Sequence, residues 1–233
     1  LAESWTINTN ITIGSFRAPR SNFMASAEQS FLDELSEAVG KDPIDFRLEL
    51  LEKARQNPVG ENNEYDAERY AGVLKLVKEK SNWGSSDNGL SRGVSAYFCH
   101  NSYAAQVLDM KWENNKPVIE KVTCAIDCGI VINPDAATNL CEGGIVDGIG
   151  NALYGELPFR DGLPEKSNFD RYQMIRMGEA PREIDVHFVQ NDIDPTGLGE
   201  PTFPPIFGAL ANALYKATGN RYYDQPFNSK KPV

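Results

Sequence analysis

Three runs decide the fold: Gly93-Val-Ser-Ala-Tyr-Phe-Cys99, Ala104-Ala-Gln-Val-Leu-Asp-Met-Lys-Trp112 and Val118-Ile-Glu-Lys-Val-Thr-Cys-Ala-Ile126. Each is rich in β-branched, aromatic and small apolar residues, the composition of strands that face a core. Asn114-Asn115 separates the second run from the third, and Asn tolerates the backbone of a tight hairpin turn. Upstream the period changes. Phe23, Ala27, Phe31, Leu35 and Val39 form an i, i+4 stripe that predicts a helix over 23–39, with Gly40 after its end. Asp42 is placed to cap a second helix over 43–56, with Phe46, Leu50 and Leu51 on its buried side. A third helix is expected over 65–80, with Tyr70, Val73, Leu74 and Val77 inward.

Downstream, Asn133-Pro134-Asp135 starts a helix expected to run to Leu153. Gly143, Gly144, Gly148 and Gly150 each cost that helix about 1 kcal/mol relative to Ala. So many glycines imply close approach to the helix backbone, by another helix or by a ligand. Ile184–Gln190 alternates as a strand, Asp192–Glu200 is a loop, and Thr202–Ala217 is a last helix with prolines in its first turn. A helical block followed by strands and helices gives an α+β fold, a mixed sheet with packed helices. The expected division is a helical segment over 1–83 and an α/β segment over 84–233.

Composition narrows the function. Counting the 19 glycines brings the apolar share of the 233 residues to about 49%, ordinary for a globular chain. The net charge is −10, with no basic cluster, which argues against nucleic acid as a partner. No run approaches the ~18 apolar residues of a membrane span. The chain opens Leu1-Ala-Glu-Ser-Trp5, without Met or an apolar run. No signal peptide is visible, and a processed or truncated product is expected. Cys124 and Cys128 on a strand would lie about 13 Å apart, too far to share a metal or a disulfide. The four cysteines are expected as buried thiols, and no metal-ligand set is expected.

Chemistry concentrates in Pro195-Thr-Gly-Leu-Gly-Glu-Pro201. Gly197 and Gly199 free the backbone, Pro201 biases Glu200 toward an extended conformation, and the following helix offers free N–H groups. A carboxylate there can be a positioned general base or simply a helix cap. Asp192 and Asp194 are the candidates for the second acid that a carboxylate hydrolase would need. Arg17, in the turn Gly14-Ser-Phe-Arg-Ala-Pro-Arg20, can bind an anion or form a surface ion pair. Asp127-Cys-Gly129 reads as a structural turn.

The order of the motifs adds to this. Phe16-Arg17-x-Pro19, Glu28-x-Ser30-Phe31-Leu32-Asp33-Glu34-Leu35 and Asp42-Pro43-x3-Arg47 come first. Ala125-Ile-Asp-Cys-Gly129, Asn133-Pro134-Asp135, Glu142-Gly-Gly144 and Asp147-Gly148 follow. Asn168-Phe169-Asp170-x-Tyr172, Ala180-Pro181, the Gly-Leu-Gly-Glu200 loop, Asn212-Ala213 and Ala217-Thr-Gly-Asn-Arg221 complete the series. Together they resemble the molybdopterin-binding large subunit of the xanthine dehydrogenase/aldehyde oxidase family, in its isoquinoline 1-oxidoreductase β-subunit branch. The resemblance covers nearly the whole chain. It implies a C-terminal piece of a subunit roughly three times longer.

The resemblance implies a molybdenum–pterin cofactor, as the pterin alone or extended as a cytosine dinucleotide. It implies hydroxylation of an N-heterocycle or aldehyde at an electron-poor carbon, with oxygen from water and Glu200 as catalytic base. Arg17, Gly143, Gly144 and Gly199 are its expected cofactor-binding residues, and no protein side chain is an expected metal ligand. Its implied partners are the rest of the large subunit, a small iron–sulfur subunit and a small-molecule substrate. It suggests the periplasm, with the cytoplasm as the alternative. The family commonly reads Gln-x-Glu-Gly where this chain has Leu140-Cys-Glu-Gly143, so the amide that contacts the pterin there is absent. The isolated chain is expected to hold no molybdenum and to be inactive. The competing expectation is a structural or assembly piece that needs a missing partner half.

Overall fold

The computed structural model describes residues 14–58, 65–85 and 89–228. Helices α1 (Ser21–Ala38), α2 (Pro43–Gln56) and α3 (Ala67–Lys80) precede strands β1 (Ser91–Cys99), β2 (Ser102–Glu113) and β3 (Lys116–Asp127). Helix α4 (Pro134–Tyr154), a two-residue ribbon β4 (Phe159–Arg160) and β5 (Leu163–Pro164), strand β6 (Glu183–Phe188) and helix α5 (Phe203–Thr218) follow. The α+β expectation holds. The sheet runs β1-β2-β3-β6, antiparallel through the first three and parallel between β3 and β6. Its center, β2, is buried without interruption from Ser102 to Met110 because helices cover both faces. Leu108, Met110, Val122 and Cys124 pack with α4 and α5. Val94, Ala96, Ala105, Val107 and Ala125 pack with α2 and α3.

The local chemistry explains the element ends. Asp42 accepts from Ile44 N–H and Asp45 N–H at 2.9 and 3.0 Å, and Asp66 and Asn133 cap α3 and α4 in the same way. Asn114 and Asn115 turn β2 into β3 with φ of 51° and 62°, as expected of a two-residue hairpin. A second such turn joins β1 to β2. It is made by His100 and Asn101, with φ of 52° and 59°.

Two faces differ from the sequence reading. The apolar stripe of α1 points outward: Phe23, Phe31 and Val39 are more than half exposed. The buried face of α1 is polar, carrying Ser26, Gln29, Ser30, Asp33 and Ser36. Two arginines from distant segments reward that face. Arg47 donates to Gln29 Oε1 at 3.0 Å and to its carbonyl at 2.9 Å, and Arg221 donates to Asp33 at 2.8 Å. On α2 the buried residues are Ile44 and Arg47, while Leu50 is exposed. Burial lowers the pKa of the Arg47 guanidinium, and the charge of Asp33 opposes that shift. All four cysteines are buried and unpaired, and burial pushes the Cys124 thiol up to about 12.

Candidate active site

The glycines of α4 are accounted for one by one. A Cβ on Gly144 would lie 2.4 Å from Thr202 Oγ1, and one on Gly148 would lie 2.3 Å from Ile206 Cγ2. The first turn of α5 therefore sits directly on the α4 backbone. Ile175 presses on Gly150 in the same way, at 2.8 Å. Gly143 differs: a Cβ there would meet nothing within 4 Å, and the residue is exposed. Packing of α5 explains two of the four, contact with the loop residue Ile175 explains a third, and the fourth leaves bare backbone.

Thr202 fixes the junction. Its hydroxyl donates to the Cys141 carbonyl at 3.0 Å, and its own carbonyl accepts from Gln106 Nε2 at 2.8 Å. The start of α5 is thus tied to α4 and to the central strand. Glu200 stands just before it, and its carbonyl accepts from Phe203 N–H at 2.9 Å.

Arg17 reaches the same junction. Its Nε donates to the Gly199 carbonyl at 3.0 Å, a second donor from Nη2 meets the same oxygen, and Nη1 pairs with Asp147 Oδ2 at 3.1 Å. These contacts engage three of the five guanidinium N–H bonds among the described residues. The plane also lies 5.9 Å from the Phe203 ring center. The turn carrying Arg17 is unusual, because Ala18 and Arg20 have φ of 54° and 68°. It presents the Ala18 N–H to Glu200 Oε1 at 3.0 Å. The other oxygen, Oε2, is in direct contact with His100 Nε2. Cys99 lies nearby: burial raises its pKa, and the charge of Glu200 adds to the shift.

Of the expected site residues, the structure gathers Arg17, Gly144, Gly199 and Glu200 at one junction, with Gly143 open on the adjoining helix turn. Leu140 is on that helix too, 44% exposed. Asp192 and Asp194 are exposed, and among the described residues neither bonds to Glu200. Asp127 accepts two bonds from Arg69, one from Asn191 at 2.9 Å and one from Gly129 N–H at 3.3 Å, so its turn is structural. The sequence reading assigns no role to His100 or to the Ala18 N–H, and carries Asp147 only within the Asp147-Gly148 motif. The signal at His100 is a two-residue turn between strands, which becomes visible only because β2 begins at Ser102 and not at Ala104.

The chain belongs to the molybdopterin cofactor-binding domain family, whose match spans residues 46–181. That span holds Gly143 and Gly144 but neither Arg17 nor Glu200. The chain is 30% identical to a membrane-bound aldehyde dehydrogenase [pyrroloquinoline-quinone] of Gluconacetobacter polyoxogenes, over 85% of this chain and 27% of that protein. It is 29% identical to isoquinoline 1-oxidoreductase subunit beta of Brevundimonas diminuta, over 86% of this chain and 25% of that protein. It therefore spans about a quarter of the length of these relatives. The aldehyde oxidoreductase of Desulfovibrio gigas shares the fold at a TM-score of 0.68 and 13% identity, over 91% of this chain and 40% of that one.

Proposed function

We propose that this chain forms part of a molybdenum hydroxylase large subunit that oxidises an N-heterocycle or aldehyde at an electron-poor carbon, with Glu200 as the base. The observation that carries this reading is the Glu200 carboxylate. It is held at one oxygen by the Ala18 N–H and touched at the other by His100, on a junction where α4 shows bare backbone. A carboxylate aimed in this way is suited to taking a proton from a reacting group.

The residues present suit a polar, anionic cofactor. The exposed Gly143 offers room that a side chain would fill, and among the described residues Gly199 and Asp147 use only three of the five Arg17 guanidinium donors. Arg17, Gly143 and Gly199 are the residues that would hold the molybdenum–pterin group, with or without a nucleotide extension, while Gly144, covered by Thr202, would let α5 close on α4 beside it. That group, when bound, supplies the oxygen transfer and the two-electron redox chemistry. Arg17 has a second task, locking the Gly199 carbonyl so that the next residue cannot swing. The Thr202 bridges keep the start of α5 against α4 and the central strand, so the junction that carries Glu200 is held from behind.

The rest of the subunit and a small iron–sulfur subunit complete this reading as partners, with a small-molecule substrate. The test is the complete enzyme with Glu200→Gln, compared with wild type at matched cofactor content in a single-turnover assay. Retained cofactor with turnover nearly lost supports the base. Near-normal turnover makes Glu200 a loop residue and favors a structural role for this chain.

A further inference from the structure

The His100 side chain has one polar partner among the described residues, the Glu200 carboxylate. Its backbone is held by other means. The His100 carbonyl accepts from Gly197 N–H at 3.1 Å, and a Cβ on Gly197 would lie 2.5 Å from His100 Cβ. Ser102 Oγ lies 2.6 Å from Thr196 Oγ1 and also donates to the Gly197 carbonyl. Arg69, fixed by Asp127, donates to the Asn101 carbonyl at 3.4 Å. The tip of the β1–β2 hairpin and the loop leading to Glu200 are therefore joined through backbone and hydroxyl groups. The imidazole is not needed for that joint.

A two-residue turn with both φ values positive most readily takes Asn, Asp or Gly. His is enriched at positive φ as well, so the turn admits it, but the turn alone calls for no imidazole in preference to Asn. Its ring is half exposed, so burial of the ring does not explain its presence either. What the turn does is aim Nε2 at Oε2.

We propose that His100 is a positioning residue for Glu200, its Nε2–H donating to Oε2 while the Ala18 N–H donates to Oε1. Two donors from opposite sides fix the plane of the carboxylate, and a base oriented by a third group is the arrangement general-base chemistry requires. No proton is consumed and no bond is broken by this role. It rests on Glu200 being the base, as proposed above.

Two measurements test it. The chain has two histidines, so its imidazole nitrogens are readily assigned by NMR. In the wild-type chain the His100 ring should show a fixed Nε2–H form whose proton exchanges slowly, and Glu200→Ala should abolish that signal. His187 serves as the internal control. In the complete enzyme, His100→Phe should lower kcat by about 10–100-fold with KM little changed, the size expected of a misaligned reacting group. His100→Gln keeps a donor and should restore part of the loss, while His100→Asn suits the turn and controls for folding. An Nε2–H signal indifferent to Glu200, or a His100→Phe enzyme with normal kcat, overturns the proposal. If Glu200→Gln is fully active while the NMR pairing is present, the base assignment fails and the positioning role with it. If Glu200→Gln is inactive and His100→Phe is normal, only the role of His100 fails.

Discussion

Arg69 meets Asp127 side-on, with Nε 3.0 Å from Oδ2 and Nη2 2.7 Å from Oδ1, and the Asp127 side chain is almost wholly buried. Burial works to raise the Asp127 pKa, but the bonds from Arg69, Asn191 and Gly129 outweigh it and hold the carboxyl below its ordinary 3.8. The stability this contributes is complete above pH 3.8 and is lost as pH falls through the depressed native value. Arg69→Met should leave a buried carboxylate short of its counter-ion. We expect a loss of about 3 kcal/mol, near the low end for breaking a buried pair, because Asn191 and Gly129 remain. Urea titration at neutral pH measures it, and the difference between variant and wild type should shrink in acid.

Gly143 and Gly144 are neighbors that should answer oppositely to the same change. Gly144→Ala forces a methyl against Thr202 Oγ1, a buried hydroxyl already bonded to Cys141. A net loss of about 1–2 kcal/mol is expected, overpacking offset in part by helix propensity. Gly143→Ala meets open space and should stabilize the chain by up to about 1 kcal/mol. If Gly143 faces the cofactor, the same substitution should lower molybdenum content in the complete enzyme. Thermal melts and metal analysis on the two variants separate packing from binding.

Glu200→Gln preserves size and most hydrogen bonding, so the variant should melt near wild type. Turnover should fall by about 10²–10⁴-fold, the usual cost of losing a general base. Substrate binding should change less than the chemical step. Rates within about tenfold of wild type would remove the base assignment.

Leu140, where the resemblance leads us to expect Gln, is 44% exposed. Leu140→Gln should change stability by less than about 0.5 kcal/mol. If that position faces the pterin, the added amide should raise cofactor retention during dilution or dialysis. Unchanged retention would place Leu140 outside the contact.

The strands and helices were legible because their signals are local. Asn114-Asn115 marks a turn whatever surrounds it, and Asp42 and Asn133 cap whichever helix follows them. The inward face of α1 was not legible. Its Gln29 and Asp33 are buried only because Arg47 and Arg221 arrive from other segments, and no periodicity carries that information. The glycines of α4 announced a close neighbor, but not that α5 would claim Gly144 and Gly148 and leave Gly143 bare. The Glu200 loop was readable as a suspicious loop. Its partners, the Ala18 N–H and His100, lie far away in the chain and meet it only once the sheet and the turn before α1 are formed.

The outward aromatic ridge of α1 also bears on how the chain behaves in bulk solution. At neutral pH a net charge of −10 keeps molecules apart despite Phe23, Phe31 and Val39. Near pH 4.8 that repulsion vanishes while the ridge stays as it was. Asp127 is still ionised there, because its carboxyl is held lower. On acidification, clouding should therefore precede denaturation: the first material to leave solution is native protein, and returning to neutral pH should dissolve it again with its structure intact.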